Sequence, residues 1–281
     1  RGPRHRARPG HRGPGPRPFI IAEAGVCHDG ALDKALRLVE TAARAQADAV
    51  KFQFWSSSDR LAERRKAAEH LEVYQRYRMP VGWLDRLAEA AKASNMRFMT
   101  TAYLPEDLPI IAERVWAFKI ASFEAQDWSF LGAHAAYGKQ VFLSTGLVGG
   151  DYFTRLRAFA AAWNLDLTLL HCVSAYPVPA DQLNLWAIRE FRLDGFSDHS
   201  GIEAAGGWAV LAGAKDLEVH FRLEDTDPAN PDAGRHALTP DGLATYILHA
   251  DHAAMVMGTA HYGERRHIPA EDPMQRFVVR P

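Results

Sequence analysis

Cysteine is scarce in this chain: two residues in 281, Cys27 and Cys172. They form no metal-binding spacing and are too few for a disulfide framework, which excludes a stapled secreted fold and favours a reducing cytoplasm. Long apolar runs are also missing. None approaches the ~18 residues that a membrane-spanning helix needs. Nor is there an excess of either charge: 33 Lys and Arg stand against 34 Asp and Glu, a net charge of -1. Such a surface has no field to gather nucleic acid or an anionic membrane. A Gly-rich phosphate turn is absent where an open dinucleotide-binding sheet would carry it, because the first apolar run continues as GVCHDG and not as GxGxxG.

What the chain does have is eight short apolar runs, each stopping on a polar or ionisable residue. In order these are FIIAEAG near Glu23, DAVKFQF at Lys51, MRFMTT at Thr101, AFKIAS at Lys119 and Ser122, QVFLST at Ser144, LTLLHC at His171, GFSDHS at Ser197 to His199, and LEVHF at His220. Between them lie stretches with helical spacing, such as residues 31–46 and 81–95, and also LPEDLPIIAERV and DQLNLWAIREFR. Strand then helix, eight times over, predicts a parallel sheet that closes into a (β/α)8 TIM barrel. Three regions are expected: a disordered basic Arg, Gly and Pro segment over 1–18, the barrel over 19–260, and an extension over 261–281. Residues 56–80 lengthen the second connection with charged, Tyr-bearing helix that suits a lid, a subunit contact or a solvated surface.

Polar groups at the carboxyl ends of barrel strands point to chemistry. His199 and His220 end neighbouring strands and can meet one divalent cation, with nitrogen and oxygen ligation suiting Mn, Co, Zn or Fe. Lys51 and Lys119, with Thr101, Ser122, Ser144 and Ser197, offer charge and short donors to a phosphate ester. Any one of these hydroxyls by itself reads as a helix cap; six sites from strands two to seven read as a phosphate pocket. Glu23 and Glu124 are candidate acid–base groups, and Asp232 is a weaker one because loops are rich in solvated aspartate. Lys119 has a rival role, as a desolvated Schiff-base lysine of an aldolase.

The segments IIAEAGVCHDGALDKAL, DAVKFQ, FKIASFE, VFLSTG, LLHCVSAYPVP, GFSDHS and EVHF together resemble the sialic acid synthases, a family that includes the legionaminic and pseudaminic acid synthases. The likeness runs in the family's order from Phe19 to about Gly258. It implies a barrel that condenses phosphoenolpyruvate with an N-acetylated amino sugar, using a divalent metal, typically manganese. Carried onto this chain, the resemblance gives the metal to His199 and His220. Phosphoenolpyruvate falls to Lys51, Thr101, Lys119, Ser122, Ser144 and Ser197, and proton steps to Glu23. The acceptor sugar falls to Gln53, Glu124, Tyr176 and Asp232, with Ser174 beside Tyr176. Lys119 becomes an electrostatic anchor. A homodimer and small-molecule substrates are the family's expectation.

Departures from the family pattern gather on the acceptor side. Cys27-His28-Asp29 stands for the usual Asn-His-Asn, Thr101-Ala102-Tyr103 for a Ser/Thr-Pro-Phe turn, and Phe123 for a small Gly. The linker to the family's antifreeze-like domain, which reaches across a dimer to supply an Arg to the acceptor, would begin near Gln275 to Pro281. The expectation is retained phosphoenolpyruvate and metal binding with a changed or smaller aldehyde. A catalytically silent binding barrel and a lysine aldolase remain alternatives.

Overall fold

The computed structural model describes residues 17–258. The expected extension over 261–281 lies outside the described residues, as does the basic segment up to residue 16. Arg17 is already tied to the body, its Nε donating to Asp251 Oδ1 at 2.6 Å and its guanidinium reaching Asp48 at 3.3 Å.

Eight parallel strands close in sequence order: β1 Phe19–Gly25, β2 Ala49–Phe54, β3 Arg97–Ala102, β4 Phe118–Ile120, β5 Val141–Ser144, β6 Leu167–Cys172, β7 Gly195–Asp198 and β8 Asp216–His220. Closure is made by β1 on β8, with Phe19 opposite Asp216 and Glu23 opposite His220. The helices are α1 Leu32–Arg44, α2 Ser58–Arg65, α3 Leu71–Arg76, α4 Gly82–Ala93, α5 Leu108–Ile111, α6 Trp128–Ala135, α7 Gly150–Trp163, α8 Trp186–Glu190, α9 Ala205–Ala212 and α10 Pro240–Met257. None of the described helices is long and apolar enough to cross a membrane.

α1 and α4 fall within the expected 31–46 and 81–95. Three other stretches are more broken than their spacing suggests. In 56–80 the helix stops at Lys66, which takes a left-handed backbone (φ 52), and resumes as α3. Helix α5 keeps a single turn behind a 3-10 turn at Pro105–Asp107, and α8 starts only after Asn184, which has φ 46. Left-handed residues and proline interrupt the backbone hydrogen-bond ladder whatever the side-chain periodicity.

Successive side chains of a strand point to opposite faces, and in a barrel those faces are the interior and the helix layer. Phe19, Ile21, Ala49, Met99, Ala117, Phe142 and Leu170 pack together as an apolar plug at the amino end. Strand residues of the opposite parity, such as Ile20, Val50, Phe98, Phe118, Leu143, Leu169 and Val219, belong to the larger core shared with the helices. Two residues beyond Ile21, Ala49, Met99, Ala117, Phe142 and Leu170, the same inward parity delivers Glu23, Lys51, Thr101, Lys119, Ser144 and Cys172. Removing the fully buried Phe142 ring would cost about 3–5 kcal/mol, as for other buried aromatic rings.

The parity corrects one expectation. His171 does not face the mouth. It points outward, its Nε2 paired with the Leu183 carbonyl at 2.8 Å and its ring stacked on Phe196. Cys172 takes the inward place instead.

Candidate active site

The strand ends open into a cavity of about 350 Å³, within the size range of small-molecule sites. Its floor is a buried ion network. Lys51 Nζ lies 2.5 Å from Glu23 Oε2, donates to Thr101 Oγ1 at 2.9 Å and lies 3.9 Å from Glu218 Oε2. Lys119 Nζ donates to Ser144 Oγ at 2.8 Å and to the Ile120 carbonyl at 3.1 Å, with Glu218 Oε1 at 3.6 Å. Ser197 Oγ donates to that same Glu218 oxygen at 3.0 Å. Glu218 therefore braces both ammonium groups from beneath. Sequence reasoning missed it, although the signal was there: if His220 faces inward, so does the residue two before it.

Burial pushes the Glu23 carboxyl up to about 7, with Lys51 opposing and Glu218 reinforcing the rise. Burial also draws Lys119 down, opposed by the Glu218 carboxylate and helped by repulsion from Lys51. Lys51 behaves in the opposite way: burial would lower it, and the carboxylates of Glu218 and Glu23 more than offset that. One lysine is thus a fixed cation and the other is easier to discharge.

The walls come from loops. Ser122 lies in a turn after β4, its Oγ accepting from the Gly146 amide at 3.1 Å and donating to Cys172 Sγ at 3.4 Å. Asp232, in the long segment after β8, accepts from the Val26 amide at 2.9 Å and from Gln53 Nε2 at 3.0 Å. Gly25 makes this approach possible. It sits at φ +54, and a Cβ there would fall 2.0 Å from Asp232 Oδ2. Two exposed aromatic side chains flank the opening: Phe123, 63% exposed, and Tyr176, 47% exposed.

Imidazoles gather on one side. His199 stacks on Tyr176 with centroids 4.2 Å apart, and its Nδ1 is paired with the Val173 carbonyl at 2.9 Å. His220 lies 5.3 Å from His199 and 5.1 Å from His236, centroid to centroid. Ligand atoms of His220, Asp232 and His236 all fall within 4.8 Å of one another. Burial and the neighbouring His199 and His236 hold His220 well below the usual imidazole range, so it is neutral and able to ligate. Buried imidazole nitrogens without hydrogen-bond partners, His220 Nδ1 and His236 Nε2, stand beside a carboxylate. That donor set fits a divalent transition metal better than Ca²⁺.

Of the residues expected at the site, Glu23, Lys51, Gln53, Thr101, Lys119, Ser122, Ser144, Tyr176, Ser197, His199, His220 and Asp232 all line the cavity. Two do not. Glu124 is tied to Arg65 of α2 at 2.8 Å, and Arg65 lies over the Tyr103 ring at 4.3 Å. Ser174 Oγ is buried without a partner. Among the expected acceptor-side departures, only Phe123 reaches the cavity. Cys27 is fully buried in the helix-facing core, Ala102 packs there too, and Asp29 binds Lys34 at 2.7 Å and Asn230 at 2.7 Å. Asp29 therefore supports the loop after β8, Cys27 fills the core, and neither lines the cavity.

A closed parallel barrel with lysines, hydroxyls and imidazoles converging at its carboxyl end defines a (β/α)8 protein with an anion- and metal-competent mouth. The sequence model of the NeuB family matches residues 38–262, and the chain belongs to that family. It is 34% identical to N,N'-diacetyllegionaminic acid synthase of Campylobacter jejuni over 235 residues, covering 76% of this chain and 70% of that protein. It is 33% identical to spore coat polysaccharide biosynthesis protein SpsE of Bacillus subtilis, covering 82% of this chain and 65% of that one. The chain thus spans about two thirds of the length of these two relatives. Among solved structures, the N-acetylneuraminic acid synthetase of Leptospira borgpetersenii in complex with citrate superposes with a TM-score of 0.83 at 28% identity, covering 93% of this chain and 91% of that one.

Proposed function

We propose that the chain condenses phosphoenolpyruvate with a sugar aldehyde to give a 2-keto-3-deoxy sugar acid and inorganic phosphate. The observation that carries this reading is the pair of buried ammonium groups, Lys51 and Lys119, at a floor rimmed by hydroxyls. A trianionic enol phosphate needs fixed cations and short donors in a site from which water is largely excluded. The family membership and the synthases among its relatives agree with the choice of reaction.

In this reading Lys51 and Lys119 hold the phosphate and carboxylate of phosphoenolpyruvate, with Thr101, Ser122, Ser144 and Ser197 as donors. The acceptor lies above, between Gln53, Asp232, Tyr176 and Phe123. A divalent cation held by His199 and His220, manganese in this proposal, supplies Lewis acidity toward the aldehyde oxygen when bound. The third carbon of phosphoenolpyruvate forms the new bond to the aldehyde carbon, whose oxygen becomes a hydroxyl. Glu23, raised by burial to about 7, takes a proton from the water that adds to the second carbon. The bond from that carbon to the phosphate oxygen then breaks as the carbon's new hydroxyl gives its proton to the departing phosphate, leaving the keto acid and phosphate. The proton taken by Glu23 is the one that converts the aldehyde oxygen to a hydroxyl. Lys119 and Lys51 hold the anionic charge throughout. Two free, buried thiols suit a reducing cytoplasm.

The test is phosphate release from phosphoenolpyruvate across a panel of aldoses, with and without Mn²⁺. Aldose-dependent, Mn²⁺-dependent release is expected. No release with any aldose would overturn the reading. Borohydride trapping of a keto acid on Lys119, with activity surviving chelation, would replace it with the lysine aldolase.

A further inference from the structure

His236 is not among the site residues expected from the strand ends, and the proposed function gives it no role. It lies on the segment after β8, far past that strand's end in sequence, yet it is only 3% exposed. Its position is built. The chain after β8 loops out and returns so that Leu238 N donates to the His220 carbonyl at 2.9 Å and Arg222 N donates to the Leu238 carbonyl at 3.0 Å. Phe221 and Leu238 form a parallel bridge. This short ladder fixes residues 236–238 alongside the end of β8, and so sets His236 beside His220.

A second constraint comes from the other side. Gly201, just past β7, sits at φ +68, and a Cβ there would fall 1.9 Å from the Arg235 carbonyl oxygen. Any other residue at 201 would push residues 235 and 236 away from the mouth. Gly234 does the same from within the segment, since a Cβ there would approach His236 Nδ1 to 2.9 Å. The imidazole is thereby packed at 5.1 Å from His220 and 5.2 Å from Tyr176, centroid to centroid. Its Nε2 is buried and has no hydrogen-bond partner.

A buried imidazole nitrogen left unpaired costs stability unless something binds it. Here one ring nitrogen of His236, one of His220 and a carboxylate oxygen of Asp232 lie mutually within 4.8 Å. Asp232 is itself held in place by the Val26 amide and Gln53, the kind of outer support that orients a metal-binding carboxylate.

We propose that His236 is a third imidazole ligand of the cation assigned to His199 and His220, with Asp232 supplying a carboxylate ligand beside it. This rests on the reading of the mouth as a metal site. It adds a ligand that no strand end supplies, and it makes the segment after β8 part of the metal site as well as of the acceptor wall.

The test uses the full chain stripped of metal and titrated with Mn²⁺ by calorimetry. His236→Ala is expected to weaken Mn²⁺ binding by at least the ~10–100-fold typical of losing even a supporting outer residue. An unchanged Kd in a folded His236→Ala variant would overturn the proposal. A measurement on the unaltered chain covers the case of misfolding: histidine ring ¹⁵N resonances are followed during Zn²⁺ addition. A metal-induced shift at His236 together with His220 supports direct ligation. A shift at His220 with His236 unmoved overturns it. Absence of any Mn²⁺ or Zn²⁺ binding by the wild-type chain would sink the metal reading itself, which separates that failure from the failure of His236 alone.

Discussion

The two ends of the barrel each bury a carboxyl group whose pKa rises to about 7, and they differ in what surrounds it. At the mouth, Glu23 is raised by burial and restrained by Lys51, inside a cavity shared with a second lysine, several hydroxyls and imidazoles. At the amino end, Asp216 is raised by burial and by the like charges of Asp194 and Asp48, with only Lys215 opposing. Asp216 lines neither the cavity nor any cluster of convergent donors. A perturbed carboxyl is therefore not enough to mark a site. What distinguishes Glu23 is a cavity into which oppositely charged groups converge.

If the mouth carboxyl is catalytic, Glu23→Gln should lower kcat/KM by about 10²–10⁴-fold, the usual worth of a positioned general base. In the wild type, kcat/KM should rise with pH through about 7 as Glu23 ionises, and that limb should vanish in the variant. A pH profile unchanged by the substitution would place Glu23 with Asp216, as a buried group without a chemical role. Lys51→Met comes next. It should cost about 10²–10³-fold in kcat, the scale for removing one preorganised electrostatic donor. It also leaves Glu23 and Glu218 short of their cation, and should destabilise the fold by about 3–5 kcal/mol, measured by urea unfolding.

The amino-end carboxyl should reveal itself in stability alone. Between the ordinary aspartate value and about 7, the folded chain keeps a proton on Asp216 that the unfolded chain has released. Stability contributed in the acid range is therefore lost as pH rises through that window, by at most about 1.4 kcal/mol per pH unit. Asp216→Asn should flatten that slope and raise stability at pH 8 relative to wild type, with kcat and KM unchanged. A loss of activity would break the contrast between the two ends. The smallest effect is expected at the rim, where Phe123→Gly should raise KM for the aldehyde by about 2–10-fold, the worth of one aromatic contact, and leave KM for phosphoenolpyruvate unchanged. Equal changes in both would show that Phe123 shapes the whole cavity and not its acceptor side.

Most of the floor was legible in the sequence. Eight apolar runs ending in polar groups gave the strand order, and strand parity then fixes which residues enter the barrel. The positions of His171, Cys172 and Glu218 share one cause: alternation along the strand, and not the last polar residue of a run, decides which side chain enters the barrel, so Cys172 replaces His171 and Glu218 joins His220. The broken helices near Lys66 and Asn184 escaped notice because side-chain spacing does not report a left-handed backbone. Cys27, Asp29 and Ala102 were expected near the acceptor, but two of them lie in the helix-facing core and Asp29 binds the loop after β8.

The sequence by itself determined the barrel, its strand order and the charged floor, because a period-two pattern in short buried strands leaves few ways to arrange them. Only the tertiary structure decided the walls. The approach of Asp232 to Val26 depends on Gly25, that of His236 to His220 on Gly201, and the removal of Glu124 from the cavity on Arg65 of α2. These contacts join residues far apart in sequence through loops whose paths no local periodicity encodes.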